Sequence, residues 1–152
     1  MTGYYKNDEA TKSTIDSDGW IHTGDIAYYD DDDCLYIVDR LKELIKVKGF
    51  QVAPSELENL LRNHPKVEDV AVIGIPDTKW GEVPRAYIVP NNKDAAAKSL
   101  REEEVQDFMK NQVTDYKQLR GGVEFIQDIP KASSGKILRR ELLSMYKLQK
   151  GI

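Results

Sequence analysis

Apolar and polar positions divide this chain into short runs separated by turn residues, and those runs predict most of its elements. Up to residue 19 the chain is polar, with Asn7-Asp8-Glu9 opening a helical turn and Asp16-Ser17-Asp18-Gly19 closing into a turn. Residues 20–29 read as an extended segment, four aspartates at 30–33 as an acidic turn, and 34–38 as a buried strand. Together they predict a hairpin too small to be stable alone. Next, Leu44, Ile45 and Val47 are interleaved with Lys42, Lys46 and Lys48, an alternation that puts the lysines on one face of a strand. Gly49 permits a tight turn, so Phe50-Gln51-Val52 can pair back and complete a cationic ribbon.

A helix is predicted from Ala53-Pro54-Ser55-Glu56, with the proline near its first turn, Leu57, Leu60 and Leu61 as its buried stripe, and Asn63-His64-Pro65 as its stop. Residues 67–75 predict a strand ended by Pro76-Asp77, Trp80-Gly81-Glu82 a loop, and 83–89 another strand with Pro84 near its start. A polar connection at 91–97 leads to a long helix over 100–113, with Val105, Phe108 and Met109 inward and Glu102-Glu103-Glu104 favourable in its first turn. A basic loop at 117–122, a third strand at 123–127, a mobile loop at 129–136 and an amphipathic helix at 137–148 complete the chain. The fold class is α+β: a small, mostly antiparallel sheet flanked by helices, with a two-stranded lysine-rich ribbon at its N-terminal end.

Composition narrows the class. A chain of 152 residues with 40% hydrophobic and 32% charged residues has material for a core and a solvated surface. No apolar run approaches the roughly 20 residues of a membrane span. Cys34 is the only cysteine, which excludes an internal disulfide, and the N-terminus lacks the apolar stretch of a signal peptide. Residues 1–40 hold 3 Lys/Arg and 10 Asp/Glu, whereas 41–152 hold 19 and 16, so the sign of the charge changes at Arg40. That shift predicts a boundary, with 1–39 belonging to one domain and 40–152 to another. The mild basicity of the second part, without aromatic interleaving, gives no nucleic-acid signal. His22 and His64 are isolated from other ligand-type residues, so no metal site is expected.

Three segments carry a resemblance: Gly19-Trp20-Ile21-His22-Thr23-Gly24-Asp25; the stretch from Ile37-Val38-Asp39-Arg40 through Lys46-Val47-Lys48-Gly49-Phe50-Gln51 to Pro54-Ser55-Glu56-Leu57-Glu58; and Pro130-Lys131-Ala132-Ser133-Ser134-Gly135-Lys136-Ile137-Leu138-Arg139-Arg140. In order and separation they resemble the C-terminal third of the adenylate-forming superfamily, which includes acyl-CoA synthetases, coumarate-CoA ligases and beetle luciferases. The resemblance implies a C-terminal lid domain that carries the trailing hairpin of an N-terminal adenylation domain. It also implies ATP-dependent formation of an acyl-adenylate from a fatty or aromatic acid, then a thioester with coenzyme A. A luciferase-type oxidation or a non-catalytic binding module of this fold is the alternative. Alone, the 152 residues are expected to show little or no turnover. Magnesium would accompany ATP, with its ligands mainly in the N-terminal domain. The ending Lys150-Gly151-Ile152 does not match a Ser-Lys-Leu-type peroxisomal address, and the expected compartment is the cytoplasm or the peroxisome.

The resemblance also assigns residues. Asp25 and Arg40 would contact ATP or AMP through the ribose; the competing readings are a turn aspartate that caps backbone N–H groups and an arginine paired to Asp39 or the aspartate run. Asp39 and Arg40 would form the hinge about which the lid domain swings. Lys136 would serve adenylation and Lys46 the second half-reaction. Gln51 would contact the nucleotide, and Lys48 and Gly49 would lie near the coenzyme A path. A phosphate-loop NTPase reading of Gly135-Lys136 fails, because Ile137 follows the lysine and Pro130 occupies the first glycine position. Without the resemblance, Lys136 reads as a surface lysine before a helix, and Lys46 and Lys48 as a solvated ribbon.

Overall fold

The computed structural model describes residues 1–91 and 100–151. It divides into two compact units, Met1–Lys42 and Glu43–Ile152. In the first, α1 (Asp8–Thr14) is capped by the Asn7 side chain, which accepts from Ala10 N–H. β1 (Asp25–Tyr29) pairs antiparallel with β2 (Leu35–Arg40), with a register shift between Ile26 and Ala27. Asp30 closes the acidic turn by accepting from the backbone of Asp32 and Cys34. The expectation of a buried strand at 34–38 is corrected here: Leu35, Tyr36, Ile37 and Val38 are exposed, and Asp39 is the buried residue of β2. Two strands form no second layer of their own, so their apolar faces find no cover within this unit.

The second unit is built on a five-stranded sheet. β3 (Ile45–Val47), β4 (Phe50–Val52), β5 (Val67–Asp77) and β6 (Gly81–Pro90) run in the order β4-β3-β6-β5. β7 (Val123–Phe125) adds to β6 in parallel, while the other pairs are antiparallel. The lysine ribbon is therefore one side of this sheet, joined to it where Val47 pairs with Gly81. Helices α2 (Pro54–Arg62) and α3 (Glu102–Lys110) cover one face and α4 (Arg139–Lys150) covers the other. Along β5, Val70 and Val72 enter the core with Leu57, Leu61, Val105 and Met109, whereas Ala71 and Ile73 enter the core with Leu142 and Tyr146. Burial on both faces is why β5 reads as a continuous apolar run in place of an alternating one.

Several bounds differ from the sequence expectation. β5 continues through Pro76 to Asp77, and β6 begins at Gly81 and takes in Pro84. The Asp77 carboxylate makes this possible by accepting from Lys79 and Trp80 N–H, both at 2.8 Å, which closes a turn tighter than the predicted loop. α3 is shorter than predicted: it begins at Glu102, and its C-terminal end tightens where the Gln112 N–H turns back onto the Met109 carbonyl three residues earlier. The polar connection lies, from residue 92 to its end at 97, outside the described residues. Gly121 passes β6 so closely that an added Cβ would stand 2.8 Å from the Pro84 carbonyl oxygen, so no side chain fits there.

Candidate functional site

In the first unit, Asp25 and Arg40 stand opposite each other at the open end of the β1–β2 hairpin. Arg40 Nε pairs with Asp25 Oδ1 at 2.8 Å, so the two residues partner each other. The two proposed ribose contacts thus lie side by side. Asp39 accepts from the Arg40 backbone N–H at 2.7 Å, and the Leu41 N–H donates to the Gly24 carbonyl at 2.8 Å, which ties the end of β2 to the start of β1.

In the second unit the ribbon sets Lys46 directly across from Gln51, and both are exposed. The Lys46 N–H donates to Glu82 Oε2 at 2.8 Å. The shared lysine face does not extend to Lys42 or Lys48. Lys42 lies in a short 3-10 turn at Leu41–Glu43, and Lys48 is a turn residue with φ 48°. Lys48 and Gly49 (φ 85°) form the two-residue link with both φ positive that the twist of a hairpin requires, and period-two alternation ends there. The Lys48 ammonium instead lies 3.9 Å from the Trp80 ring centroid, while its N–H donates to the Trp80 carbonyl at 2.8 Å. Nothing lies within 4 Å of a Cβ built on Gly49, so its turn is open to solvent.

The loop before α4, expected to be mobile, is pinned at both ends. Ile129 is buried, Lys131 bridges to Ile137, Ala132 N–H donates to the Lys136 carbonyl, and Leu138 N–H donates to the Pro130 carbonyl. These bonds use residues 137 and 138 in the loop, which is why α4 starts at Arg139. Lys136 stays exposed, with Nζ 3.5 Å from Glu43 Oε1.

Sequence reasoning missed the group beneath this lysine. Arg139 pairs through Nε with Glu43 Oε2 at 2.8 Å and through Nη1 with Glu58 Oε1 at 2.6 Å. Glu58, on α2, also accepts from the Val72 N–H of β5 at 2.8 Å. Burial alone would lower the basicity of Arg139, but its bonds and charge pairing with Glu58 and Glu43 outweigh that and raise its pKa above the ordinary arginine value. One signal was available: Glu58 lies beside Leu57 and Leu61, at the edge of the inward arc of α2, where a carboxylate needs a partner. Among the described residues no three His, Cys, Asp or Glu side chains come together as a metal would require. None of the described helices is long and apolar enough to cross a membrane.

Comparison with known proteins adds a second line. Residues 56–136 match the family model of the AMP-binding enzyme C-terminal domain. The chain is 52% identical over 150 residues to the luciferin 4-monooxygenase of Photuris pensylvanica, covering 99% of this chain and 27% of that protein. It is 55% identical over 142 residues to 4-coumarate–CoA ligase 2 of Nicotiana tabacum, covering 93% of this chain and 25% of that protein. Among solved structures, ATP-bound MatB of Rhodopseudomonas palustris aligns with a TM-score of 0.86 and 31% identity, over 95% of this chain and 28% of that one. The chain thus spans about a quarter of the length of these relatives.

Proposed function

Because the chain belongs to the AMP-binding enzyme C-terminal domain family, we propose that it is the lid part of an ATP-dependent acid–coenzyme A ligase and acts with an N-terminal adenylation domain. In the first half-reaction a carboxylate oxygen of a fatty or aromatic acid attacks the α-phosphorus of ATP, the bond to the β-phosphate breaks, and pyrophosphate leaves. Negative charge spreads over the non-bridging oxygens, and the Lys136 ammonium stabilises it. In the second, the coenzyme A sulfur attacks the acyl carbon and AMP leaves. Lys46 and Gln51 face the adenylate in that step, and Lys48 and Gly49 border the coenzyme A path. Asp25 and Arg40 hold the ribose, and the Asp39-Arg40 joint takes up the change between steps, because polar residues at a strand end can absorb a change in φ and ψ.

The observation that supports this reading is that the two lysines stand on different elements: Lys46 lies on the β3 ribbon and Lys136 on the loop before α4. The test is ATP–pyrophosphate exchange with the 152-residue chain supplied in trans to an N-terminal adenylation domain of a relative. Lys136→Ala should lower exchange about 10²- to 10³-fold, the usual effect of deleting a charge-stabilising donor. Equal exchange by both chains would remove the adenylation role of Lys136. The likeness to the Photuris monooxygenase supports a second reading, in which oxygen replaces coenzyme A after the same adenylation step. Acid-dependent oxygen uptake without thioester formation would favour it.

A further inference from the structure

We propose that Glu43 is a positioning residue for Lys136, a role that rests on the adenylation function given to that lysine above. The carboxylate of Glu43 is divided between two cations, with Oε2 on Arg139 Nε at 2.8 Å and Oε1 facing Lys136 Nζ at 3.5 Å. Arg139 is fixed in turn by Glu58 at 2.6 Å and by the Val72 carbonyl at 3.3 Å, while Glu58 accepts from the Val72 N–H. Glu43 is therefore near the outer end of a chain of charges that begins at the backbone of a central strand. Side-chain exposure rises along that chain, from 4% at Glu58 to 18% at Arg139, 25% at Glu43 and 59% at Lys136. The inner members hold a carboxylate still beside a lysine whose own stem is in solvent.

That arrangement suits a lysine that must meet an anion. Fixing a free lysine stem costs rotamer entropy, and holding it near Glu43 beforehand removes part of that cost. An exposed pair at 3.5 Å is also loose enough to yield. An incoming phosphate can share or take the ammonium, while Arg139 keeps Glu43 from following it.

The test has two parts. On the 152-residue chain, ¹³Cε relaxation should show the Lys136 side chain more ordered than that of Lys42. Glu43→Gln should abolish the difference, since the amide can still accept from Arg139 but carries no charge toward Lys136. In exchange and thioester-transfer assays with the N-terminal domain in trans, Glu43→Gln should lower the kcat of exchange about two- to five-fold, the range of an exposed ion pair, with KM for ATP and thioester transfer unchanged. Unaltered Lys136 relaxation, or exchange as fast as in the unchanged chain, overturns the proposal. An equal fall in both half-reactions with a lower Tm also overturns it, by making Glu43 a purely structural residue. Lys136→Ala separates the two levels. If that variant loses exchange and Glu43→Gln does not, only the positioning role fails; if it exchanges normally, the role of Lys136 fails and that of Glu43 with it.

Discussion

At the scale of single residues, the buried ion pair of Arg139 with Glu58 is tightly constrained. Removing one partner leaves a charge without compensation in a site that is 4% exposed at the glutamate. Arg139→Met should therefore cost about 3–5 kcal/mol in a denaturation experiment, and Arg139→Met with Glu58→Gln, which removes the stranded charge while its amide oxygen still accepts from the Val72 N–H, should recover much of it. Equal losses in the single and double variants would mean that the pair does not carry this contact. His64 gives a pH-dependent counterpart. Its ring is buried edge-on against Phe108, and Nδ1 accepts from the Lys66 N–H. Burial holds its pKa below the ordinary 6.5, with the Glu104 charge opposing and the Lys66 charge assisting. The unfolded chain then binds a proton at a higher pH than the folded one does. Stability that is complete above 6.5 should fall as pH drops through the folded value. His64→Asn, which keeps an acceptor for Lys66, should flatten the slope between pH 6.5 and about 5, where carboxylates begin to titrate; an unchanged slope would rule out His64 as its source.

At the scale of elements, the ribbon shows what pattern reading can and cannot deliver. Gly49 in the turn and the return of 50–52 were legible, because an alternating run broken by glycine has few other solutions. The shared face of Lys42, Lys46 and Lys48 was not, because the alternation of side chains stops where the backbone leaves the strand. Gly49→Ala should cost about 1–2 kcal/mol from its positive φ alone, since the added methyl meets no neighbour. A Tm unchanged by that substitution would contradict the turn geometry. Helix α2 was legible from Leu57 and Leu61, but the partner of Glu58 was not, because it lies 81 residues away at Arg139. The exposed apolar side chains of β2 teach the complementary lesson: an apolar run states that cover is needed without saying what supplies it.

At the scale of the whole molecule, the α+β class with a small, mostly antiparallel sheet followed from the order of the elements. The parallel docking of β7 on β6 did not, since three residues of strand carry no sign of direction. The family likewise rested on three separated segments, and it agrees with relatives on both the ligase and the monooxygenase side. The candidate residues fall into two groups in the second unit, the Lys46–Gln51 ribbon and the Lys136 loop with its Glu43–Arg139 support. In the function proposed here the two groups divide the half-reactions between them. The most direct test is single-turnover measurement of the two half-reactions, with the N-terminal domain in trans, for Lys46→Ala and Lys136→Ala. A crossing is expected: Lys136→Ala slows adenylate formation and spares transfer from preformed adenylate to coenzyme A, and Lys46→Ala does the reverse. Loss of the same half-reaction in both variants would contradict it.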